Sequence, residues 1–342
     1  MSKNKRISIL LSAGLALVLL LLFFISERKE TASTCEQSMS YFAAKGVVFG
    51  TYYNIQYEAA HELRDSLSAT FEAFDHSLSM FNPQSVISAI NGNRDTLTDA
   101  YFEQMWQEAE RVYQESQGAF DITVAPLVNL WGFGFKHREQ VTAARIDSVL
   151  PFVGFGKVRL IRRQVEKADK RMMLDASAVA KGQACDVVAA MLGRNGCRNY
   201  LVDIGGEVVA KGKNKYGEAW RIGITKPEDD PAGDSKALQE VVVSTDICMA
   251  TSGNYRNFYY EGNERRSHTI DPRTGYPVQH SLLSATVVAS SCMRADALAT
   301  ACMVLGADEG LRMIEATQDA ACYLIVADGD STVIRTSKNW AY

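Results

Sequence analysis

The sequence predicts an α+β fold from the order of its strand and helix patterns. Short apolar runs typical of strands stand at residues 200–204, 220–224, 241–244, 283–289 and 322–326, and the first three follow one another without a helix between them. A doubly wound parallel sheet would alternate strands with helices. Apolar residues at helical spacing occur in other segments, so both helices and sheets are expected.

The N-terminal segment predicts a membrane anchor over residues 1–26. Lys3, Lys5 and Arg6 precede an uncharged apolar run at residues 7–25. A run of about 20 residues can span a bilayer as a helix, and basic residues before it favour a cytoplasmic N-terminus. The alternative is a cleaved signal sequence, whose apolar core is usually about 7–15 residues. We expect an uncleaved anchor in the inner (cytoplasmic) membrane, with the folded domain on the periplasmic side.

A polar segment follows the anchor and leads into the folded part of the chain. Residues 27–45 lack a clear hydrophobic period and predict a tether. The folded domain is expected to cover residues 46–342, and its first strand is predicted at residues 47–55, a run rich in β-branched and aromatic side chains. The acidic stretch 228–234 predicts a surface loop inside this domain, because strand patterns flank it.

Several segments carry the apolar spacing of amphipathic helices. The first two cover residues 63–78 and 98–118, where Thr98 or Asp99 can cap the second helix and Gly118 can end it. The others are predicted at residues 178–192, 295–305 and 309–316.

The composition excludes several classes of protein. The 342 residues include 36 Lys+Arg and 40 Asp+Glu, for a net charge of −4, and 47% are hydrophobic. Such a chain is neither disordered nor collagen-like, and it can bury the core of one large or two moderate domains. A near-neutral charge gives no general attraction to nucleic acid, so no nucleic-acid partner is expected.

The cysteines form no recognisable motif. There are seven, none in a C-x-x-C pair, so neither a zinc site nor a thioredoxin-type motif is indicated. Most lie in apolar runs, which is typical of buried free thiols, although export would permit a disulfide. Cys35 would suggest a lipoprotein, but residues 32–34 match the usual lipobox poorly.

Standard nucleotide-binding and hydrolase fingerprints are missing. Residues 131–135 lack the third glycine of G-x-G-x-x-G, and residues 206–213 have the wrong spacing for a P-loop. A G-x-S-x-G elbow is absent as well. The sequence therefore supports neither a Rossmann dehydrogenase nor a P-loop NTPase.

Two denser clusters of polar and aromatic residues flank predicted helices. Residues 119–127 follow the second helix, and residues 175–182 open a later one. A helix N-terminus presents free N–H groups and is a natural seat for phosphate, and Lys181 would add positive charge there. Taken alone, Asp175 is equally consistent with a helix cap.

A third cluster, residues 267–277, is a loop that two prolines and a glycine stiffen. It holds His268, Asp271 and Arg273. Histidine is suited to proton transfer near neutral pH, although a loop histidine is often merely solvated.

The fourth cluster, residues 294–300, offers a pair of hard oxygen ligands. Asp296 and Thr300 are four residues apart, so a helix places both side chains on one face. A carboxylate with a hydroxyl suits Mg²⁺, whose other ligands are usually water, carbonyl oxygen or phosphate. An Asp–Thr pair at this spacing is common and often makes only a local hydrogen bond, so by itself it does not establish a metal site.

Taken together, these clusters resemble the ApbE family, the FAD:protein FMN transferases, also called flavin transferases. Order and spacing agree from about residue 46 to the C-terminus, and the string at residues 268–277 is highly specific. The resemblance implies ApbE-like mixed sheets with flanking helices. The matching segments are residues 49–51, 120–127, 131–133, 175–182, 203–207, 251–256, 268–277 and 295–300.

The resemblance also implies an FAD-binding cleft in which Mg²⁺ on the pyrophosphate is held by an Asp, a Thr and a main-chain carbonyl. The positions that match these metal ligands are Asp296, Thr300 and Ala178. Many members have Met at the position of Phe49, and some have Glu at that of Lys181. The positions that match flavin contacts are Phe49, Ala119, Phe120, Asp121, Asp175, Lys181 and Ile270, with Phe81 as a further candidate.

The implied reaction transfers FMN from FAD to a threonine hydroxyl of an acceptor protein and releases AMP. Mg²⁺ at Asp296 would neutralise phosphate charge, and His268 is the candidate base for the hydroxyl, which makes these two the expected catalytic residues. The family's acceptors are exported subunits of redox-driven ion pumps and related electron-transfer proteins, which suits an anchored, outward-facing enzyme.

Three alternative functions stay open at the level of sequence. An Mg²⁺-dependent FAD pyrophosphatase would release FMN and AMP to water at the same site. A flavin carrier would bind FAD without turnover. A structural partner in metal-centre assembly is the third. AMP release with and without an acceptor protein separates the transferase from the first two.

Overall fold

An antiparallel sheet forms the centre of the fold. The computed structural model describes residues 38–134, 141–227, 237–254, 258–261, 264–329 and 331–342. Its strands are β1 (Ser40–Val48), β2 (Thr51–Ala59), β3 (Val158–Ile161), β4 (Gln164–Lys167), β5 (Tyr200–Ile204), β6 (Glu207–Lys211), β7 (Trp220–Thr225), β8 (Leu238–Ser244), β9 (Asp246–Gly253), β10 (Phe258–Glu261), β11 (Glu264–Ser267), β12 (Leu282–Ala289), β13 (Ala320–Asp328) and β14 (Ser331–Thr336). Its helices are α1 (Arg64–Leu78), α2 (Val86–Asn91), α3 (Ala100–Glu115), α4 (Ala125–Leu130), α5 (Ala143–Val149), α6 (Ala180–Arg194) and α7 (Cys292–Ala316).

Eight strands form the central sheet in the order β1-β2-β5-β6-β9-β12-β13-β14, and every neighbouring pair is antiparallel. The other described strands pair as hairpins, β3 with β4, β7 with β8 and β10 with β11. No parallel pair occurs among the described strands, so no helix has to cross over between sheet neighbours. The predicted α+β class is confirmed.

The two faces of the central sheet are covered differently. On one face, Ile55, Val202 and Val287 share a core with the apolar sides of α1, α3, α6 and α7. On the other face, Leu201 packs in a second core with Trp220 of the β7–β8 hairpin. Adjacent residues such as Leu201 and Val202 enter opposite cores because side chains alternate along a strand.

Most predicted elements are confirmed, with ends that differ by a few residues. Strand β5 and helix α1 lie where they were predicted. Asp99 caps α3, since its carboxylate accepts a hydrogen bond from the N–H of Phe102 at 2.9 Å. Gly118, with φ of 82°, follows the end of α3. Gly306 interrupts α7 with φ of 80°, which matches the two helices predicted there.

Two predictions near the start of the domain are wrong. The strand predicted at residues 47–55 is two strands, joined by a turn at Phe49 and Gly50, whose φ values are 53° and 75°. The predicted tether overlaps β1, because residues 40–45 belong to that strand. The turn between β1 and β2 was not predicted, because Phe49 is apolar and fits the pattern of a continuous strand. The start of β1 was not predicted, because β1 is an edge strand and most of its side chains stay at least partly exposed, so its sequence lacks a clear apolar pattern.

The predicted anchor at residues 1–26 and the tether up to residue 37 lie outside the described residues, as does the predicted loop at 228–234. Within the described ranges, no helix combines the length and apolar character that a membrane span requires.

The cysteines of the described residues are free thiols, and all but Cys248 are buried. This agrees with the prediction of buried thiols in apolar runs. They are Cys185, Cys197, Cys248, Cys292, Cys302 and Cys322.

Helices α6 and α7 approach one another closely at Gly182. A Cβ atom there would stand 2.6 Å from the carbonyl carbon of Cys292 and closer still to its oxygen. Beside this contact, Asp186 of α6 caps α7 by accepting hydrogen bonds from the N–H groups of Cys292 (3.0 Å) and Met293 (2.8 Å). Burial raises the pKa of Asp186 to about 6. The start of α7 is therefore attached to α6.

We expect Gly182→Ala to lower the free energy of unfolding by about 1–3 kcal/mol, because the added methyl group must push the two helices apart. Gly193→Ala in the same helix is the matched control, since no atom of the described residues lies within 4 Å of its added Cβ. That control should be neutral or stabilising by about 0.5–1 kcal/mol. Urea unfolding of both variants measures the difference, and equal stabilities would contradict the close contact.

Candidate active site

A cleft of about 520 Å³ brings together segments that are far apart in the sequence. Its lining comes from the β1–β2 turn, the end of α1, the segment after α3, the start of α6 and the β5–β6 turn. The end of β9, the loop after β11 and α7 complete it. The volume is within the range of small-molecule and cofactor sites.

All the residues predicted to bind ligand or metal line this cleft, and so do both predicted catalytic residues. Some of them are separated by more than 200 positions in the chain, and the sheet topology brings them together. They are Phe49, Phe81, Ala119, Phe120, Asp121, Asp175, Ala178, Lys181, His268, Ile270, Asp296 and Thr300.

Phe49 occupies an unusual backbone conformation at one wall of the cleft. Its φ of 53° is in the left-handed region, which is uncommon for a residue other than glycine. The ring packs against Phe74 and Phe71, at centroid distances of 5.4 and 5.9 Å. These contacts hold the conformation in place, as is typical of strained residues at functional sites.

Asp121 and Asp175 shape the neighbouring wall through hydrogen bonds to the backbone. Oδ1 of Asp121 accepts from the N–H (2.7 Å) and hydroxyl (2.6 Å) of Thr123, and Oδ2 accepts from the N–H of Phe155 at 2.9 Å. Burial raises the pKa of Asp121, although these hydrogen bonds oppose the shift. Oδ1 of Asp175 accepts from the N–H of Ser177 at 2.8 Å. Both carboxylates thus hold the loops that line the cleft.

A cluster of three charged side chains stands at the start of α6. The Nζ atom of Lys181 lies 3.1 Å from Oε1 of Glu207 and 3.6 Å from Oδ1 of Asp296. The two carboxylates are almost fully buried, whereas Lys181 is 33% exposed. Burial by itself would lower the pKa of Lys181, but the carboxylates of Asp296 and Glu207 outweigh it and raise the pKa. Burial raises the pKa of Glu207 against the opposite effect of the ammonium group.

Two of the predicted metal ligands, Asp296 and Thr300, make hydrogen bonds to other elements of the fold. Oδ2 of Asp296 accepts a hydrogen bond from the N–H of Gly182 at 3.0 Å. One helical turn further along α7, the hydroxyl of Thr300 lies 3.1 Å from that of Ser252. Ala178 lines the cleft just before α6. A carboxylate, a hydroxyl and a main-chain carbonyl are hard oxygen donors, so this set fits Mg²⁺.

The donor set holds only one carboxylate. Among the described residues, no group of three or more His, Cys, Asp or Glu could hold a metal ion. A cation at Asp296 and Thr300 would therefore need water or substrate phosphate to complete its coordination, which is how Mg²⁺ usually binds in phosphate sites.

The loop at residues 268–277 is a rigid hairpin. The N–H of Asp271 donates to the carbonyl of Tyr276 at 2.9 Å, and its carboxylate pairs with Arg273 at 2.9 Å. The indole N–H of Trp131 donates to the carbonyl of Gly275 at 2.8 Å. Asp271 and Arg273 therefore brace the loop, whereas His268 lines the cleft.

Glu207 and Ser252 are polar cleft residues that were not predicted as site residues. Glu207 directly follows the Gly205-Gly206 turn and is 3% exposed. Among the residues that the structure describes, none makes a hydrogen bond to its Oε2 atom. Ser252 lies at the end of β9 and contacts Thr300. The position of Glu207 after two glycines was the available signal, but only its contact with Lys181 shows that it belongs to the site.

Comparison with known proteins agrees with this geometry. The model of the ApbE family matches residues 49–324, which is most of the chain. The chain belongs to the ApbE family. The matched range contains every residue of the cleft lining, from Phe49 to Val304.

Individual ApbE-family relatives match over most of their own length. The FAD:protein FMN transferase of Haemophilus influenzae is 34% identical over 322 residues, which cover 89% of this chain and 92% of the relative. The flavin transferase ApbE from Vibrio cholerae has a TM-score of 0.79 at 33% identity, over 89% of this chain and 99% of that one. The flavinyl transferase ApbE of Pseudomonas stutzeri, in its apo form, has a TM-score of 0.78 at 30% identity, over 88% and 95%.

Proposed function

We propose that this protein transfers the FMN part of FAD to a threonine hydroxyl of an acceptor protein and releases AMP. Relatives that match 86–89% of the chain are named FAD:protein FMN transferases. The protein is therefore an FAD:protein FMN transferase with FAD as its substrate. The threonine target, the release of AMP and the need for Mg²⁺ are proposed in addition.

The observation that carries the proposal is the combination of an aromatic wall with a charged, oxygen-rich wall in one cleft. Phe49, Phe120 and Ile270 offer apolar surface suited to a flavin ring. Lys181 stands at the start of α6, and its ammonium group lies 3.6 Å from Asp296 of α7. The backbone N–H groups at the helix start and the ammonium group favour phosphate. FAD carries both kinds of surface in one molecule.

Four polar side chains and one main-chain carbonyl then have a part in the transfer. Asp296, Thr300 and the carbonyl of Ala178 would hold Mg²⁺, which would offset the charge of the pyrophosphate. Lys181 would bind negative charge beside them. His268 accepts the proton of the threonine hydroxyl. The threonine oxygen forms a bond to the phosphorus of the FMN part. The bond from that phosphorus to the bridging oxygen breaks, and this oxygen leaves with AMP.

Two alternatives use the same residues and differ in outcome. An FAD pyrophosphatase would release FMN and AMP without an acceptor protein, and a carrier would bind FAD and release nothing. The names of the relatives favour transfer to a protein. The acceptor is expected to be an exported electron-transfer or ion-pump subunit, as the family resemblance implies.

We expect Asp296→Ala to lower the rate of covalent FMN transfer by about 100-fold or more. Without this carboxylate, Mg²⁺ would lose its anionic protein ligand, and the charge of the pyrophosphate would be poorly neutralised. Thr300→Ala should cause a smaller loss, since water can replace a neutral ligand. The assay incubates the full chain with FAD, Mg²⁺ and a candidate acceptor, and it follows the fluorescent acceptor band together with AMP. Wild-type rates in Asp296→Ala at limiting Mg²⁺ would contradict the proposed metal site.

The second prediction concerns His268. If it is the base, His268→Ala should keep FAD affinity and melting temperature but lose about 100-fold or more in transfer rate. The wild-type rate should rise with pH through the range in which histidine loses its proton, because only neutral imidazole accepts a proton. A parallel loss of FAD affinity and stability in His268→Ala and His268→Asn would instead mean that His268 only braces the loop.

We further propose that residues 1–26 anchor the enzyme in the cytoplasmic membrane, with the domain on the periplasmic side. The basic residues followed by an apolar run support this. Deletion of residues 1–30 should move the protein from the membrane fraction to the soluble fraction and leave transfer intact, because the cleft residues all lie beyond it. A full-length chain that fractionates as soluble would contradict the anchor, and loss of this segment from the mature mass would indicate a cleaved signal sequence.

A further inference from the structure

Glu207 is a cleft residue without a place in the transfer scheme. Its carboxylate is 3% exposed and lines the cleft, and its Oε2 atom has no hydrogen-bond partner within the described part of the chain. Its other oxygen lies 3.1 Å from Nζ of Lys181. A buried carboxylate with one unpaired oxygen is costly to the fold, so a contribution to the site is the natural reason to keep it.

The backbone holds Glu207 in a fixed position. It is the first residue of β6, where it pairs with Ile204 across the Gly205-Gly206 turn. Its carbonyl also accepts a hydrogen bond from the thiol of Cys185 at 3.1 Å, and Cys185 belongs to α6, the helix that carries Lys181. The backbone of Glu207 is therefore fixed beside the helix that carries Lys181.

The distances show that the ammonium group of Lys181 is hydrogen-bonded to Glu207 and not to Asp296. The 3.1 Å separation from Glu207 is a charge-assisted hydrogen bond. The 3.6 Å separation from Oδ1 of Asp296 is beyond hydrogen-bond distance. With Glu207 neutral or absent, the Lys181 ammonium would have Asp296 as its nearest anion and would move onto it.

We infer that Glu207 is a positioning residue that draws the ammonium group of Lys181 away from Asp296, so that the Asp296 carboxylate stays open to a divalent cation. This inference rests on the proposed function, because it takes Asp296 as the cation ligand. It assigns Glu207 an effect on cation affinity that acts through Lys181 and not through contact with the cation.

A double-mutant cycle tests this with Mn²⁺ as the probe. The full chain is mixed with less than one equivalent of FAD, and the free-ion EPR signal of Mn²⁺ gives the affinity. We expect Glu207→Gln to weaken Mn²⁺ binding by about tenfold while Lys181 is present. In the Lys181→Met background the same substitution should change Mn²⁺ binding by less than about twofold, because no ammonium group is left to move.

Two results would overturn the inference. Equal weakening in both backgrounds would mean that the Glu207 carboxylate acts on the cation directly, and no weakening in either would mean a purely structural role. Glu103→Gln is the control for the loss of one charge, since Glu103 pairs with Arg163 at 2.7 Å and does not line the cleft. It should leave Mn²⁺ affinity unchanged.

Asp296→Ala separates this inference from the proposed function. If Asp296→Ala binds Mn²⁺ as tightly as the wild type, the metal site itself is wrong and the inference falls with it. If Asp296→Ala binds weakly but Glu207→Gln behaves like the wild type, only the inference is wrong. Should Glu207→Gln fail to fold, Glu207→Met replaces it, because an apolar side chain of similar size leaves no buried polar group unpaired.

Discussion

Helices α6 and α7 meet backbone to backbone at Gly182, and the candidate site depends on that contact. The N–H of Gly182 donates to Asp296, so the same residue that permits the close approach also orients the predicted cation ligand. One turn later, Asp186 caps α7 with both of its oxygens. These contacts place Lys181 beside Asp296, although the two residues are more than 100 positions apart in the chain.

A second buried ionic group secures α7 from its other side. The fully buried guanidinium of Arg294 pairs with Glu108 and Glu115 of α3 at 2.8 and 3.0 Å, and with Asp319 at 3.0 Å. Buried ion pairs of this kind add little net stability, but loss of one partner is strongly destabilising. A shift of α7 would separate Arg294 from these carboxylates, so the ion pairs favour one position of the helix. A cation ligand on this helix is consequently held by two helices and does not depend on a flexible loop.

The charged cluster at the cleft combines two buried carboxylates with a partly exposed ammonium group. Glu207 stands on the central sheet, Lys181 on α6 and Asp296 on α7, so three separate elements each contribute one charge. One ammonium group lies between the side chains of Glu207 and Asp296, at 3.1 and 3.6 Å. The aromatic wall around Phe49 is built separately, on the β1–β2 turn. The polar and apolar parts of a ligand would thus contact residues on different elements of the fold.

The sequence by itself determined many of the periodic elements and predicted residues that line one cleft. Helix α1, strand β5 and the Asp99 cap follow from local spacing and capping, and the string at residues 268–277 identified the family. Only the tertiary structure decided the rest. The β1–β2 turn was missed because its residues are apolar, and Glu207 was missed because its role depends on a contact with Lys181 across two elements. Local patterns record what a residue does for its own segment, whereas burial and charge pairing arise from segments that meet only in the folded chain.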